Sequence, residues 1–238
     1  MRILAILPTY NERYNVGELI SSLFAHHADM QICVVDDSSP DGTSEFVSSS
    51  ISSGVWGQGV HLVTRKIKDG RGGAVRTGLK WGLGRFDVFV EMDCDFSHHP
   101  SDIAEGLRQV ALGNDVVLGS RYPNGVIVGW PKRRRIFSFL ANFLARTLIN
   151  WGIHDYTNGY RFYSVAAVNC LLSHSQKYTG YVYLSESLVL LLKNGFKVTE
   201  FPITFRNRTL GDSKTTVMEI LKTLSGILKI AFRYRFIL

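Results

Sequence analysis

Short apolar runs alternate with longer amphipathic stretches over the first half of the chain. The runs are Ile3–Leu7, Ile32–Val35, Val60–Val63, Val88–Met92 and Val116–Leu118. Each is brief, rich in branched residues and bounded by polar turn residues, the pattern of a strand buried on both faces. Between them, segments near residues 15–27, 43–52, 73–83 and 101–112 carry helical spacing. This β-α alternation predicts an α/β fold with a mostly parallel central sheet and helices on both faces. No internal repeat interrupts it, and Ser48–Ser53 reads as a serine-rich helix end and loop.

The pattern changes after residue 120. A basic run, Lys132 to Arg135, leads into a helix in which Arg134, Ser138, Asn142 and Arg146 recur every fourth position. They share one face, while Phe137, Phe139, Leu140, Phe143, Leu144 and Leu148 cover the rest. Periodicity alone predicts a core-facing helix with one solvated polar stripe. The alternative is a helix near lipid whose polar stripe holds a charged headgroup. Near the C-terminus, Val217, Ile220, Leu221, Leu224, Ile227, Leu228 and Ala231 keep helical spacing among Lys222, Lys229, Arg233 and Arg235. An interfacial helix on an anionic membrane and a core-packed terminal helix both fit.

Composition narrows the classes. A chain of 238 residues with 45% hydrophobic and 20% charged residues suits one large globular domain and excludes a disordered or collagen-like chain. Cys33, Cys94 and Cys170 are odd in number and far apart, which argues against a disulfide scaffold or zinc ribbon. The charge of +7 makes an anionic partner plausible. No apolar stretch of about 20 residues predicts a transmembrane helix. The chain enters a strand-like run at once, so no signal peptide is expected and a cytosolic location is.

Parallel sheets bind ligands at the carboxyl ends of their strands. Three polar clusters fall there: Pro8-Thr9-Tyr10-Asn11-Glu12, Asp36-Asp37-Ser38-Ser39-Pro40-Asp41 and Asp93-Cys94-Asp95. Asp93 and Asp95 can converge on one divalent cation, and Mg²⁺ or Mn²⁺ prefers oxygen ligands. Ser97 is a candidate third ligand, while His98 and His99 read as loop-packing residues. Asp36 and Asp37 could accept hydrogen bonds from a base or ribose, or serve a helix start. Gly70-Arg71-Gly72-Gly73-Ala74 is only a partial phosphate loop, since Val75 replaces the third glycine of GxGxxG. That disfavours a dinucleotide oxidoreductase. The chain has no GxSxG elbow for a serine hydrolase and no helix-turn-helix or RRM signature for nucleic acid.

Eight fragments, in order and spanning nearly the whole chain, resemble the family-2 glycosyltransferases of GT-A fold. They are Pro8 to Glu12, Val35 to Thr43, Met92 to Pro100, Gly119-Ser120-Arg121-Tyr122, and Gly129-Trp130 with Arg134 and Ser138. Asp155 to Arg161, Gly180-Tyr181 with Glu186, and Arg208 with Gly211, Ser213 and Lys214 complete the set. Within that family the resemblance is to members that transfer mannose from GDP-mannose to dolichyl or other polyprenyl phosphate. It implies that Pro8, Tyr10, Glu12, Val35 and Asp37 hold the guanosine half of the donor. Asp93 and Asp95 would bind Mg²⁺ or Mn²⁺, with Ser97 as third ligand, and Met92 and Cys94 would line the same strand end. Arg121, Arg134 and Ser138 would gather the lipid phosphate. Arg208 and Lys214 would close on the donor diphosphate, so that Asp95, Arg121, Arg208 and Lys214 form the catalytic set.

The resemblance further implies a catalytic domain over residues 1–214, including a lipid-phosphate-binding helix at about 132–151, and an amphipathic membrane-associating helix over 215–238. Such an enzyme would work peripherally on the cytoplasmic face of a membrane, endoplasmic reticulum or plasma membrane. It would use lipid-facing helices or a small membrane-anchoring subunit, and no nucleic acid. A phosphate monoester is largely a dianion near pH 7, so it needs positioning and charge balance more than a general base. Inverting displacement at the anomeric carbon follows. Two departures stand out: Ser97 where some relatives have a glutamine ligand, and Arg71 where an apolar residue is common. A UDP-sugar donor, a nucleotidyltransferase and a non-catalytic lipid-binding subunit are the alternatives.

Overall fold

The five apolar runs of the first half become strands because each sends alternate side chains into two separate cores. In the computed structural model, which describes residues 1–180, 182–207 and 217–236 (the side chains of that last stretch only from 224 to 233), the first run is strand β1 (Ile3–Thr9). Leu4 and Ile6 enter one core, Ala5 and Leu7 the other, and all four are fully buried. Burying one such branched side chain contributes about 1.5–3 kcal/mol, so both faces hold the strand in place. β2 (Gln31–Asp36), β3 (Val60–Thr64), β4 (Val88–Glu91) and β5 (Val116–Ser120) follow. The helices between them are α1 (Val16–His26), α2 (Thr43–Ser52), α3 (Arg71–Gly82) and α4 (Ile103–Ala111). The mostly parallel α/β expectation is met. The helix expected from 73 starts at Arg71, and Pro100 splits the one expected from 101 into a 3-10 turn, Pro100–Asp102, and α4.

The second half holds the two helices expected near residues 132–151 and 215–238, and adds strands and two helices that periodicity did not predict. β6 (Val126–Val128), helix α5 (Lys132–Leu148), β7 (Arg161–Ser164), α6 (Val165–Ser173), α7 (Val182–Lys193), β8 (Val198–Pro202), β9 (Thr204–Arg206) and α8 (Val217–Phe236) complete the order. The main sheet runs β3-β2-β1-β4-β7-β5-β8. β7 slots between β4 and β5 antiparallel to both, and the other pairs in that sheet are parallel. β6 and β9 form a small parallel pair beside it.

α5 reverses the predicted orientation. Its polar stripe faces inward: Asn142 is buried, with Ala141 and Ala145 beside it, and Arg134 and Ser138 are half-buried. Ile136, Phe139, Leu140 and Phe143 lie outside, each about half exposed. The reason is hydrogen bonding. The Asn142 side chain accepts the Tyr156 N–H at 2.8 Å and donates to Thr157 Oγ1 at 3.1 Å, demands that no solvated stripe would serve. α8 packs against α5 and α7, with Ile227 and Ile230 in the core while Leu228 and Phe232 are exposed. Among the described residues no helix is long and apolar enough to cross a membrane.

α4 reaches the sheet only because residue 106 is glycine. A Cβ there would run into the Phe162 ring of β7. Gly106→Ala is expected to cost about 1–3 kcal/mol of stability through overpacking, seen as a lower urea midpoint with an unchanged slope.

Candidate active site

The sheet order turns back on itself between β1 and β4, so their carboxyl ends open the crevice in which doubly wound sheets bind ligands. The loops after β1 and β2 are tied together there. Asp36, fully buried, accepts from Thr9 Oγ1 at 2.8 Å, Ser39 N at 2.9 Å and Ser44 Oγ at 2.7 Å. Asn11 N donates to Ser39 Oγ and Glu12 N to Thr43 Oγ1. Asp36 is therefore a brace and not a base or ribose acceptor. Asp41 accepts the Thr43 N–H at the start of α2. Asp37 pairs with Arg65 at 2.7 Å. Its burial, aided by Asp69 and Asp36, holds that carboxyl above its ordinary value in spite of Arg65. Tyr10 carries Lys68 Nζ 3.1 Å above its ring, and Glu12 accepts from Asn15. Val35, Met92 and Cys94 sit in the two cores, so only their main chain can meet a ligand. Burial raises the Cys94 thiol well above its usual pKa, which leaves it unreactive.

β4 ends at Glu91, and the chain turns through Phe96, whose φ is +59°. Asp93 and Asp95 project from this turn. Asp95 accepts the Ser97 N–H at 3.1 Å and is nearly buried, whereas Asp93 is one-third exposed. Ser97 is buried beside them. His98 is fully buried and stacks on Tyr160 with ring centroids 4.8 Å apart. Its Nδ1 accepts the Asp93 N–H, so Nε2 carries the proton and donates to Asn158 Oδ1 at 2.8 Å. Burial lowers its pKa and keeps the ring neutral, a packing role as expected from the sequence. Among the described residues no group of three His, Cys, Asp or Glu side chains forms a metal cluster. The two carboxylates suit a hard cation that completes its shell with phosphate oxygens and water.

The glycine-rich segment does not cradle an anion. The Gly72 N–H donates to Thr179 O at 2.7 Å, and the Gly73 and Ala74 N–H groups both turn back to Gly70 O. Instead Arg71 reaches across the crevice to Asp93 Oδ1 at 2.8 Å, to Glu91, and to Gly159 O at 3.1 Å. Glu186 accepts the Lys177 and Tyr178 N–H groups and so holds the loop that meets this glycine turn.

On the other side of the sheet's edge lies a cationic and aromatic cluster. Arg121, only 5% exposed, makes two 2.8 Å bonds to the fully buried Asp155 and a 2.7 Å bond to Thr157 Oγ1. Its guanidinium lies 5.4 Å from the Trp130 ring and 5.9 Å from that of Tyr122. Arg134 stacks on Trp130 at 3.9 Å and donates to Asn207. Ser138 lies beside Tyr122. Among the described residues, Trp130 Nε1 is buried with no hydrogen-bond partner, and the buried Tyr122 and Ser138 hydroxyls have none beyond each other. A buried orphan costs about 1–3 kcal/mol unless a ligand satisfies it.

The family model described as glycosyl transferase family 2 matches residues 4–172. This chain belongs to that family. Polyprenol monophosphomannose synthase of Mycolicibacterium smegmatis is 38% identical over 238 residues, covering 98% of this chain and 88% of the relative. Undecaprenyl-phosphate mannosyltransferase of Micrococcus luteus is 36% identical over 216 residues, covering 90% and 87%. The fold is GT-A. Glucosyl-3-phosphoglycerate synthase from Mycobacterium tuberculosis, crystallised with Mn²⁺, UDP and glucosyl-3-phosphoglycerate, superposes with a TM-score of 0.69 at 18% identity, covering 98% of this chain and 79% of that one.

In this family-2 transferase the sequence-derived candidates fall into two groups. Pro8, Tyr10, Glu12, Asp37, Asp93, Asp95 and Ser97 come from the β1, β2 and β4 ends, while Arg121, Arg134 and Ser138 come from β5 and α5. Arg208, Lys214, Gly211, Ser213 and Tyr181 lie outside the described residues. Sequence reading missed Trp130 and Tyr122 as donors, although both stood inside quoted motifs. It also missed what Asp155 to Arg161 does. Asp155 neutralises Arg121, Asn158 holds His98, and the fully buried Arg161 donates to Asn158 O, Tyr156 O, Leu184 O and Ser187 Oγ.

Burial raises the Asp155 carboxyl, but the charge and hydrogen bonds of Arg121 outweigh it, and its pKa falls below the ordinary value. The stability this supplies is complete above the ordinary carboxylate pKa of about 4 and is lost as pH falls through the lower folded value. Asp155→Asn, which strands a buried guanidinium, is expected to cost about 3–5 kcal/mol at pH 7. The gap from the unsubstituted protein should narrow in denaturation curves taken progressively below pH 4.

Proposed function

We propose that this transferase moves mannose from GDP-mannose to dolichyl or another polyprenyl phosphate, with inversion at the anomeric carbon. The observation that carries the reading is the set of three buried polar groups, on Tyr122, Trp130 and Ser138, that have no hydrogen-bond partner beyond one another and gather beside Arg121 and Arg134. A phosphate monoester supplies the acceptors that these groups lack, and arginine's planar fork suits it. The names of the two mannosyltransferase relatives support a polyprenyl acceptor.

The acceptor phosphate enters as a dianion, so the protein orients it and abstracts no proton. Ser138, Tyr122 and Trp130 donate to its oxygens, and Arg121 and Arg134 balance its charge. Across the crevice Pro8, Tyr10, Glu12 and Asp37 hold the nucleoside, with the main chain at Val35, Met92 and Cys94. Asp93 and Asp95, with Ser97, would hold Mg²⁺ or Mn²⁺, which neutralises the departing diphosphate. Arg208 and Lys214 add charge to the same leaving group.

The outward face of α5 supports membrane attachment. Tyr122, Phe139, Phe143 and Trp151 form a chain of ring contacts at about 6 Å. Beside them a hollow of about 470 Å³ runs from Arg121 and Arg135 to Val126, Ile136 and Phe139. With the segment 215–238, this face would seat the enzyme peripherally on the cytoplasmic leaflet of a membrane, with a small anchoring subunit as a further partner. No helix among the described residues needs to span it. Phe139→Ser/Phe143→Ser should float with anionic vesicles to a clearly smaller extent than the parent while keeping its melting temperature. Undiminished flotation removes α5 from the attachment surface.

The function is tested by organic-phase extraction after incubation with polyprenyl phosphate and radiolabelled GDP-mannose, UDP-glucose or UDP-N-acetylglucosamine. Label should transfer from GDP-mannose alone and only with Mg²⁺ or Mn²⁺. Asp95→Ala should lose at least a hundredfold in metal-dependent rate, about 2.7 kcal/mol of barrier. Arg134→Ala should raise the KM for the lipid and leave that for the donor in place. Transfer from a UDP-sugar instead would replace the donor.

A further inference from the structure

The structure assigns a role to Arg71 that depends on the metal reading above: we propose that it keeps the empty Asp93–Asp95 site from taking a divalent ion strongly until a nucleoside diphosphate arrives. Arg71 is no surface side chain. Its guanidinium lies against Gly159, where any Cβ would strike it, and it binds Gly159 O, Asp93 Oδ1 and Glu91 together. Glu91 is fully buried, and its other oxygen accepts from Tyr163 OH at 2.9 Å. Arg71 thus bridges two carboxylates at the end of β4, one of them a member of the candidate metal pair.

The charge count shows the consequence. Glu91, Asp93 and Asp95 carry three negative charges, and Arg71, bound to two of them, makes the local sum less negative by one. A divalent ion entering alone meets that reduced field, and one oxygen of Asp93 is already held by the guanidinium. A diphosphate restores the missing negative charge and adds oxygens for the ion's shell. Metal and nucleotide therefore bind cooperatively, each raising the affinity for the other by the same factor.

The test is Mn²⁺ binding by the full chain, read from the electron paramagnetic resonance signal of free Mn²⁺ with and without GDP. Arg71→Met should bind Mn²⁺ about tenfold more tightly without GDP. That is the effect of one unit charge, one carboxylate removed from a divalent ion, even under water-like screening. The gain in affinity produced by GDP should shrink correspondingly. Glu91→Gln, which keeps Arg71, should bind Mn²⁺ about tenfold more weakly, and Arg71→Met/Glu91→Gln should return close to the parent value. These two variants avoid leaving a buried Glu91 uncompensated. Unchanged or weaker Mn²⁺ binding by folded Arg71→Met, or unchanged binding by Glu91→Gln, would overturn the role of Arg71. Absence of Mn²⁺ binding by the parent with GDP present would overturn the metal reading itself.

Discussion

Buried carboxylates must be compensated, and the architecture of this transferase follows from how each one is. An ion taken out of water costs several kcal/mol unless hydrogen bonds and an opposite charge replace its hydration. Asp36 is compensated by three hydroxyls and a backbone N–H, which ties the β1 and β2 ends into one wall. Glu91 and Asp93 share Arg71, which pins the start of α3 across the crevice. Asp155 is compensated by Arg121 and by the N–H groups of Thr157 and Asn158, which joins β5 to the loop before β7. Remove the acids and the loops have no reason to hold their positions.

The same requirement explains the inverted helix. α5 directs Asn142 inward because the 155–158 loop presents backbone and hydroxyl groups that water cannot reach. Small residues at Ala141 and Ala145 let the helix approach. Its large apolar side chains are left outside, in contact with one another and with Trp151. In water such a face is a liability, whereas at a lipid surface it is an attachment. Under the proposed function, satisfaction of the loop and attachment to lipid would be two results of one helix orientation.

Much of the fold was legible along the chain. The five strands and four helices of the first half declare themselves because both faces of each strand are buried, so apolar residues run without interruption. The carboxyl-end clusters and the Asp93–Asp95 pair were legible for a related reason: a polar cluster at a parallel strand end has few structural uses. β7, β8 and the β6–β9 pair were not. They are four, five and three residues long and take their identity from neighbours distant in sequence. β7 in particular begins with Arg161, a poor strand signal until its four carbonyl and hydroxyl acceptors are in place.

The sequence by itself determined which local segments exist, which family the chain resembles and which residue types crowd the crevice, because these depend on spacing and side-chain chemistry. Tertiary structure alone decided the assignments among similar residues. Of the adjacent pair Asp36 and Asp37, one became a brace and the other faces Arg65. The glycine-rich turn spent its N–H groups on its own backbone and on Thr179, while its arginine took the two acids of β4. Trp130 emerged as an unpartnered donor beside Arg121, and Tyr122 as one with no partner beyond Ser138. These outcomes turn on hydrogen-bond partners as distant as Thr179 is from Gly72, 107 residues on, and no local pattern encodes who will be left without one.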